Sequence, residues 1–263
     1  MKRKQSLAEH RRHQVLDEVK RTGVVRTSDL AREHGVSLMT IRNDLAALAS
    51  QGQLVRVHGG AVTQQWLTEE PSYSDKVARN QDEKRAIGRE AAQLIEDGMA
   101  VFIGNGSTTM EIIRHLPNAC RLHAFTNSLN HAEAMAPLSN SDVYVIGGHL
   151  RGVSLAMVGR LSHQALQGIY FDMAFLGVNG VSPTHGLTIP SLEESEIAAE
   201  IIRHCQRAVI VADHTKFGIV THGKIADVAD VDVIITDDGL GPAFRQTMAD
   251  SEVEIRLATT KGR

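Results

Sequence analysis

From residue 82 to the C-terminus, short apolar runs alternate with helical segments, and this alternation constrains the fold more than any other feature. Runs at Met99–Ile103, Arg121–Phe125, Val143–Ile146, Met173–Gly177, Ala208–Ala212, Val233–Thr236 and Val253–Leu257 have the length of strands. Amphipathic stretches, among them Glu83–Ile95 and Glu194–Cys205, fall between several of them. Continuous apolar strands spaced by helices imply an α/β domain built on a mostly parallel sheet. No internal repeat or low-complexity tract competes with that reading.

The first 65 residues follow another pattern. They carry 11 Lys and Arg against 6 Asp and Glu, a net of +5, whereas residues 66–263 carry 17 against 25, a net of −8. A basic head on an acidic body points to nucleic-acid binding by the head alone. Leu7 to Lys20 reads as a helix with Val15 and Val19 on one face, stopped by Gly23. Thr27 or Ser28 is expected to cap a short helix from Asp29 to His34, and Ser37 a third helix running to about Gln51. The short gap between these two is helix-turn-helix spacing. A hairpin follows, with strands at Leu54–Val57 and Ala61-Val62 around His58-Gly59-Gly60, where paired glycines permit positive φ. The expected division is a winged helix-turn-helix at 1–63, a linker at 64–81 with room for a connecting helix, and an α/β domain at 82–263.

Other classes are excluded on composition. The 42% hydrophobic content of the 263 residues is enough for real cores. No run approaches the roughly 18 apolar residues of a membrane helix. No apolar signal core follows the basic Met1–Gln5, and Cys120 and Cys205 make neither a disulfide framework nor a zinc set, so a reducing, cytoplasmic setting is expected. His10, His13 and His131 have no partner at metal spacing and are read as surface residues. No metal and no cofactor is expected.

On a helical wheel Ile41, Leu45 and Leu48 face the core, while Met39, Asn43, Ala46 and Ser50 lie opposite, flanked by Thr40 and Arg42. Asn pairs bidentately with adenine and Arg with guanine, and Thr reaches a phosphate or a thymine methyl. Ser37, Met39, Thr40, Arg42 and Asn43 are therefore the candidate reading residues, with Arg56 and His58 on the wing. In the body, Gly104-Asn105-Gly106-Ser107-Thr108-Thr109 joins a strand to a helix, which aims backbone N–H groups and hydroxyls at one point. It lacks the Gly-Lys-Ser/Thr of a P-loop and the third glycine of a dinucleotide fingerprint. The loop reads either as a phosphate cradle or as a tight capped turn. Thr126-Asn127-Ser128, Gly147-Gly148, Asn179, Asp213 and Lys216 also follow strands, where open α/β sheets bind ligands. Each alone reads equally as a surface loop residue; jointly they suggest a sugar-phosphate pocket, with Lys216 balancing the phosphate.

Arg11-Arg12, Gly35-Val36-Ser37, Thr40-Ile41-Arg42-Asn43-Asp44-Leu45 and Arg56-Val57-His58-Gly59-Gly60-Ala61 resemble the DeoR family of bacterial transcription regulators. The resemblance spans nearly the whole chain. It implies a winged helix-turn-helix followed by a sugar-phosphate-sensing domain with the fold of ribose-5-phosphate isomerase. By resemblance the Gly-rich loop, Thr126–Ser128, Gly147-Gly148 and Asp213–Lys216 form the effector pocket, with Glu194 retained nearby. The sequence departs from the family pattern at two places. Asn43 stands where the family usually has a second arginine, a variant that resembles the amino-sugar (N-acetylgalactosamine type) subgroup, and Ala198 stands where it usually has a lysine. The isomerases of this fold carry an acidic pair after the strand matching Met173–Gly177, whereas this chain has Gly177-Val178-Asn179-Gly180. Without that base an isomerase lacks its proton carrier. The expectation is thus a repressor of a sugar-utilisation operon, not an enzyme. It would bind double-stranded operator DNA as a homo-dimer or tetramer and be released by a phosphorylated sugar. The alternative is a sugar-phosphate isomerase or deaminase with a regulatory head.

Overall fold

The computed structural model describes residues 2–22, 24–57, 59–62, 70–138, 141–249 and 252–260. The chain divides into two units, Met1–Pro71 and Ser72–Arg263.

In the head, α1 (Lys2–Thr22), α2 (Thr27–Glu33) and α3 (Leu38–Ser50) pack with strands β1 (Val24–Arg26), β2 (Val55–Val57) and β3 (Gly60–Val62). The strands form an antiparallel sheet in the order β1-β3-β2. Val15, Val19, Leu30, Ile41, Leu45, Leu48 and Leu54 make the core, as the helical spacing requires. Ser37 caps α3, its hydroxyl accepting the Thr40 N–H at 3.1 Å. The expected cap on α2 is corrected: Arg26 holds the N-cap position without a side-chain capping bond, and Thr27 is already helical and buried. The two wing glycines also differ in their roles. Gly59 takes φ +84, whereas a Cβ on Gly60 would stand 1.9 Å from the Val25 carbonyl oxygen. Gly60 is needed for close approach to β1, a strand the sequence pattern missed.

Asp44 of α3 is 2% exposed and bonds both arginines of α1, Arg11 Nε at 2.6 Å and Arg12 Nε at 2.8 Å. One carboxylate thus fixes α3 against α1. It also occupies two of the positive charges counted in the head.

In the body, a parallel sheet among the described residues runs in the order β15-β14-β12-β9-β4-β5-β6. Its strands are β4 (Ala100–Ile103), β5 (His123–Thr126), β6 (Asp142–Val145), β9 (Phe171–Gly177), β12 (Cys205–Val211), β14 (Val233–Asp237) and β15 (Glu254–Ala258). These match the expected runs to within a few residues. Side chains alternate between two cores, one on each face. Phe102, Ala174, Leu176, Ile210 and Ile234 enter one, and Val101, Ile103, Met173, Phe175, Val209, Val211 and Ile235 enter the other. Phe171 packs against Phe102 and Phe125 with ring centroids 5.2 Å apart in each pair. Each such pair contributes about 0.5–1.5 kcal/mol beyond its buried area.

The helices are α4 (Tyr73–Val77), α5 (Gln81–Ala92), α6 (Ser107–Arg114), α7 (Leu129–Met135), α8 (Arg160–Leu166), α9 (Leu192–Arg203) and α10 (Pro242–Ala249). Two small antiparallel sheets are additions the sequence did not signal. One pairs β7 (His149–Arg151) with β8 (Ala156–Val158), and the other orders β10 (Gly180–Ser182), β11 (Gly186–Ile189) and β13 (Gly223–Ala226). Residues 72–81, expected within the linker, belong to the body unit, and α4 opens with a Ser72/Asp75 capping box.

Helices α5 and α6 touch at Gly88, where a Cβ would lie 2.5 Å from the backbone carbon of Glu111. Gly88→Ala should therefore destabilise the body by about 1–3 kcal/mol through overpacking. A lowered urea midpoint in tryptophan-independent circular dichroism checks this; an unchanged midpoint refutes the contact.

Candidate functional site

In the head, the N-terminal turns of α3 present Leu38, Met39, Arg42 and Asn43 as exposed side chains, with Thr40 partly exposed, while Ile41, Asp44 and Leu45 are buried. Met39 is 60% and Leu38 49% exposed, an apolar pair at a helix start that suits thymine methyl groups. Ser37 and Thr40 share a hydroxyl–hydroxyl bond of 2.9 Å, so part of their capacity is committed to the cap. Arg56 is exposed on β2. His58, the other expected wing residue, lies outside the described residues.

In the body, the order of the strands reverses beside β4. Successive strands step from β4 to β5 to β6 in one direction, then β9 returns to the other side of β4. Ligands bind at the carboxyl ends of strands where the order reverses, here between Ile103 and Gly177. Gly104 sits at that point, its N–H donating to the Phe175 carbonyl at 2.9 Å. A Cβ on Gly104 would meet the Leu176 Cδ2 at 2.9 Å and the Phe175 carbonyl oxygen at 3.3 Å, so a larger residue here would require the Leu176 side chain to shift. Gly106 takes φ +151 and precedes α6. Gly106, at its N-cap, offers no side-chain bond to the first N–H groups of that helix. Ser107, Thr108 and Thr109 are nearly buried in its first turn.

The polar side chains around the loop hold it in shape. Asn127 Oδ1 accepts the Asn105 N–H at 3.1 Å, and Asn127 Nδ2 donates to the Met157 carbonyl at 3.3 Å. Asn105 Nδ2 donates to Glu194 Oε2 at 3.3 Å. The other oxygen of Glu194 pairs with Arg151 and accepts the Ser154 hydroxyl at 2.5 Å. Thr126 is buried and accepts the Ser128 N–H at 3.2 Å. Thr109 donates to the Gly106 carbonyl at 3.0 Å and lies 3.1 Å from His131 Nε2. His131 is fully buried, which corrects its reading as a surface residue. Burial pushes its pKa down to about 3, so the ring stays neutral at Thr109.

Asp213 and Lys216 form a second cluster at the end of β12, two strands from β4 and hence about 10 Å away. Asp213 caps the turn His214–Lys216, accepting the Thr215 N–H at 3.0 Å and Asn80 Nδ2 at 3.1 Å. Its Oδ2 is buried, and no hydrogen-bond donor among the described residues reaches it. Burial alone would raise this carboxyl, but Lys216, Thr215 and Lys84 outweigh it and hold it below the ordinary carboxylate range. Asn179, partly exposed, follows β9 and so stands between the two clusters.

Family models match both units: one described as "DeoR-like helix-turn-helix domain" covers residues 11–65, and one described as "DeoR C terminal sensor domain" covers 79–238. An Escherichia coli O157:H7 protein named as a transcriptional repressor of the aga operon is 35% identical over 249 residues, 94% of this chain and 93% of its own. The HTH-type transcriptional repressor GlcR of Bacillus subtilis (strain 168) is 30% identical over 241 residues, 92% and 93% of the two chains. Among solved structures, ribose 5-phosphate isomerase A of Methanocaldococcus jannaschii aligns over 52% of this chain and 55% of its own, at 20% identity and a TM-score of 0.37. Among the described residues no helix is long and apolar enough to cross a membrane, and no group of His, Cys, Asp or Glu side chains is placed to hold a metal ion.

Sequence reasoning missed Asn80, Lys84, Arg151 and Ser154, which reach the site from outside the strand ends. Lys84 lies on α5, 5% exposed, where burial lowers its pKa from 10.5 to about 8 against the pull of Asp213. Lys216 is lowered for the same reason. Between about pH 8 and 10 the unfolded chain holds a proton on Lys84 that the folded chain does not, so stability rises with pH, by at most about 1.4 kcal/mol per unit for one such group. Cys205, which burial raises to about 11, pulls the other way above about pH 9, so the climb in urea midpoint is read between pH 8 and 9. Lys84→Met should flatten it there, and a variant profile that climbs as the wild type does would refute the buried ammonium.

Proposed function

The chain belongs to the DeoR family of HTH-type transcriptional regulators, and we propose that it represses a sugar-utilisation operon and leaves its operator when a phosphorylated sugar fills the body pocket. The observation that carries this reading is the pairing in one chain of an exposed reading face on α3 with an uncapped helix N-terminus at the strand-order reversal. Thr40, Arg42 and Asn43 are the expected contacts to operator bases and phosphates, with Arg56 and His58 on the wing. The N–H groups of Ser107, Thr108 and Thr109 hold the phosphate, and Lys216 adds a cation. Asn179 and the unpaired oxygen of Asp213 accept sugar hydroxyls. The names of two relatives, as repressors, support the direction of control.

Asn105, Asn127, Ser128 and Glu194 take a supporting part, since their polar atoms already bond one another or nearby groups. The same geometry weighs against the enzyme alternative. Glu194 is held by Arg151 and Ser154, and the turn after β9 offers no carboxylate to carry a proton. A single α3 reads few bases, so two or four copies pair their heads on repeated half-sites, and the protein works at the chromosome in the cytoplasm.

Fluorescence anisotropy with DNA from upstream of the chain's own gene should give tight binding that falls steeply with salt. Arg42→Ala should weaken it by about 1–3 kcal/mol. Equal affinity for scrambled DNA at the same salt would sink the proposal. In a thermal-shift screen, a sugar phosphate at about 100 times its Kd should add roughly 2.7 kcal/mol of stability and weaken DNA binding. A screen of pentose, hexose and hexosamine phosphates that moves neither quantity would count against the pocket.

A further inference from the structure

We propose that residues 72–84, the first stretch of the body after the head, carry the state of the pocket toward the head, with Asn80 and Lys84 as the positioning residues. The inference rests on the pocket reading above and adds the route by which occupancy is felt.

The segment is fastened at both ends to groups that build the pocket. At its start, the Tyr73 N–H donates at 2.8 Å to the carbonyl of Val153, in the β7–β8 turn. That turn supplies Arg151 and Ser154, which grip Glu194 and through it Asn105 of the Gly-rich loop. At the end of α4, Lys84 Nζ donates to the carbonyls of Lys76 and Arg79, the latter at 2.7 Å. The Lys76 carbonyl also accepts the Arg79 N–H at 3.4 Å, so the ammonium joins the turn that closes the segment. The same ammonium interacts with Asp213 and Lys216. Asn80 completes the attachment. It takes the left-handed conformation at φ +50, and its amide donates to Asp213 Oδ1 at 3.1 Å and to Thr215 Oγ1 at 3.3 Å.

Asp213 therefore faces two ways: its Oδ1 bonds Asn80 of the segment while its buried Oδ2 has no hydrogen-bond partner among the described residues, and its charge acts on the Lys84 ammonium. A phosphate brings a charge of about −1.5 to −2. Bound in the crevice, it attracts Lys84 away from the carbonyls of residues 76 and 79, and a ligand donor on Asp213 Oδ2 redistributes the charge that Asn80 holds through Oδ1. The contacts of the segment then differ between empty and filled states, which is the differential energy a conformational switch requires. In sequence the segment begins directly after Pro71, the last residue of the head unit.

Asn80→Gly isolates the effect, because glycine adopts the left-handed backbone without strain and only the amide contacts are lost. The full chain is compared with this variant by hydrogen exchange with inorganic phosphate, and by anisotropy on the upstream DNA with galactosamine 6-phosphate, a probe that offers Asp213 an ammonium as well as a phosphate. In the wild type, phosphate should protect amides at 104–109 and alter exchange at 72–84, and the sugar phosphate should weaken DNA binding. The variant should keep its phosphate-free DNA affinity and its melting-temperature rise with phosphate, while the ratio of DNA affinities without and with galactosamine 6-phosphate drops at least about fivefold toward one. Protection at 104–109 with no change at 72–84 in the wild type, or a variant that releases DNA as the wild type does, overturns the route alone. A wild type whose melting temperature neither compound raises overturns the pocket reading, and the route with it.

Discussion

The reversal of strand order at β4 is the constraint on which the body depends. Because β4 is flanked by β5 on one side and β9 on the other, it is buried on both faces and both edges. Its side chains alternate between two cores, so helices must cover both faces of the sheet. The chain leaving Ile103 and the chain leaving Gly177 then diverge to opposite faces and open a crevice between them. The Gly-rich loop begins there, where a Cβ on Gly104 would crowd Leu176 and the Phe175 carbonyl. Site and core are thus two results of one topological fact.

The parts of this architecture that were legible in the sequence are those with strong local signals. The parallel strands announce themselves because burial on both faces demands unbroken apolar runs. The head is equally readable, since Ser37, Gly35 and Gly52 mark the ends of its helices and Ile41, Leu45 and Leu48 repeat at helical spacing. What escaped are short strands such as β1, β7 and β10, three residues each and too short to show a period: β1 pairs with β3 far along the chain, while β7 and β10 form tight hairpins with β8 and β11. The same holds for individual residues. Lys84 looks like one more charge on an amphipathic helix, and nothing in its local pattern shows its ammonium buried against the carbonyls of Lys76 and Arg79 with the charge of Asp213 acting on it. His131 looks like a surface histidine until α6 and α7 close over it. Asn80 gave no signal, because a left-handed asparagine is defined by the hydrogen bonds it finds.

The candidate pocket separates the groups that shape it from the groups left open. Asn105, Asn127 and Glu194 were expected to touch a ligand, yet their bonds run to one another, to Arg151, to Ser154 and to backbone. That network makes the backbone amides of the loop rigid, and rigid donors bind an anion with little ordering cost. Where a lysine is usual the chain has a nearly buried Ala198, and the negative charge of Glu194 is met by an arginine from the β7–β8 hairpin instead.

The clamp on Asp44 has a further consequence. Along α3, the residue that anchors the helix directly follows Arg42 and Asn43, which are exposed and make no part of the core. Substitutions at such surface positions usually change stability by no more than about 0.5 kcal/mol. Arg42 and Asn43, the proposed reading residues, can therefore change while Arg11, Arg12 and Asp44 keep the helix where it is. A scaffold of this kind is evolvable: gene duplicates can acquire new target sites without first having to recover a lost fold.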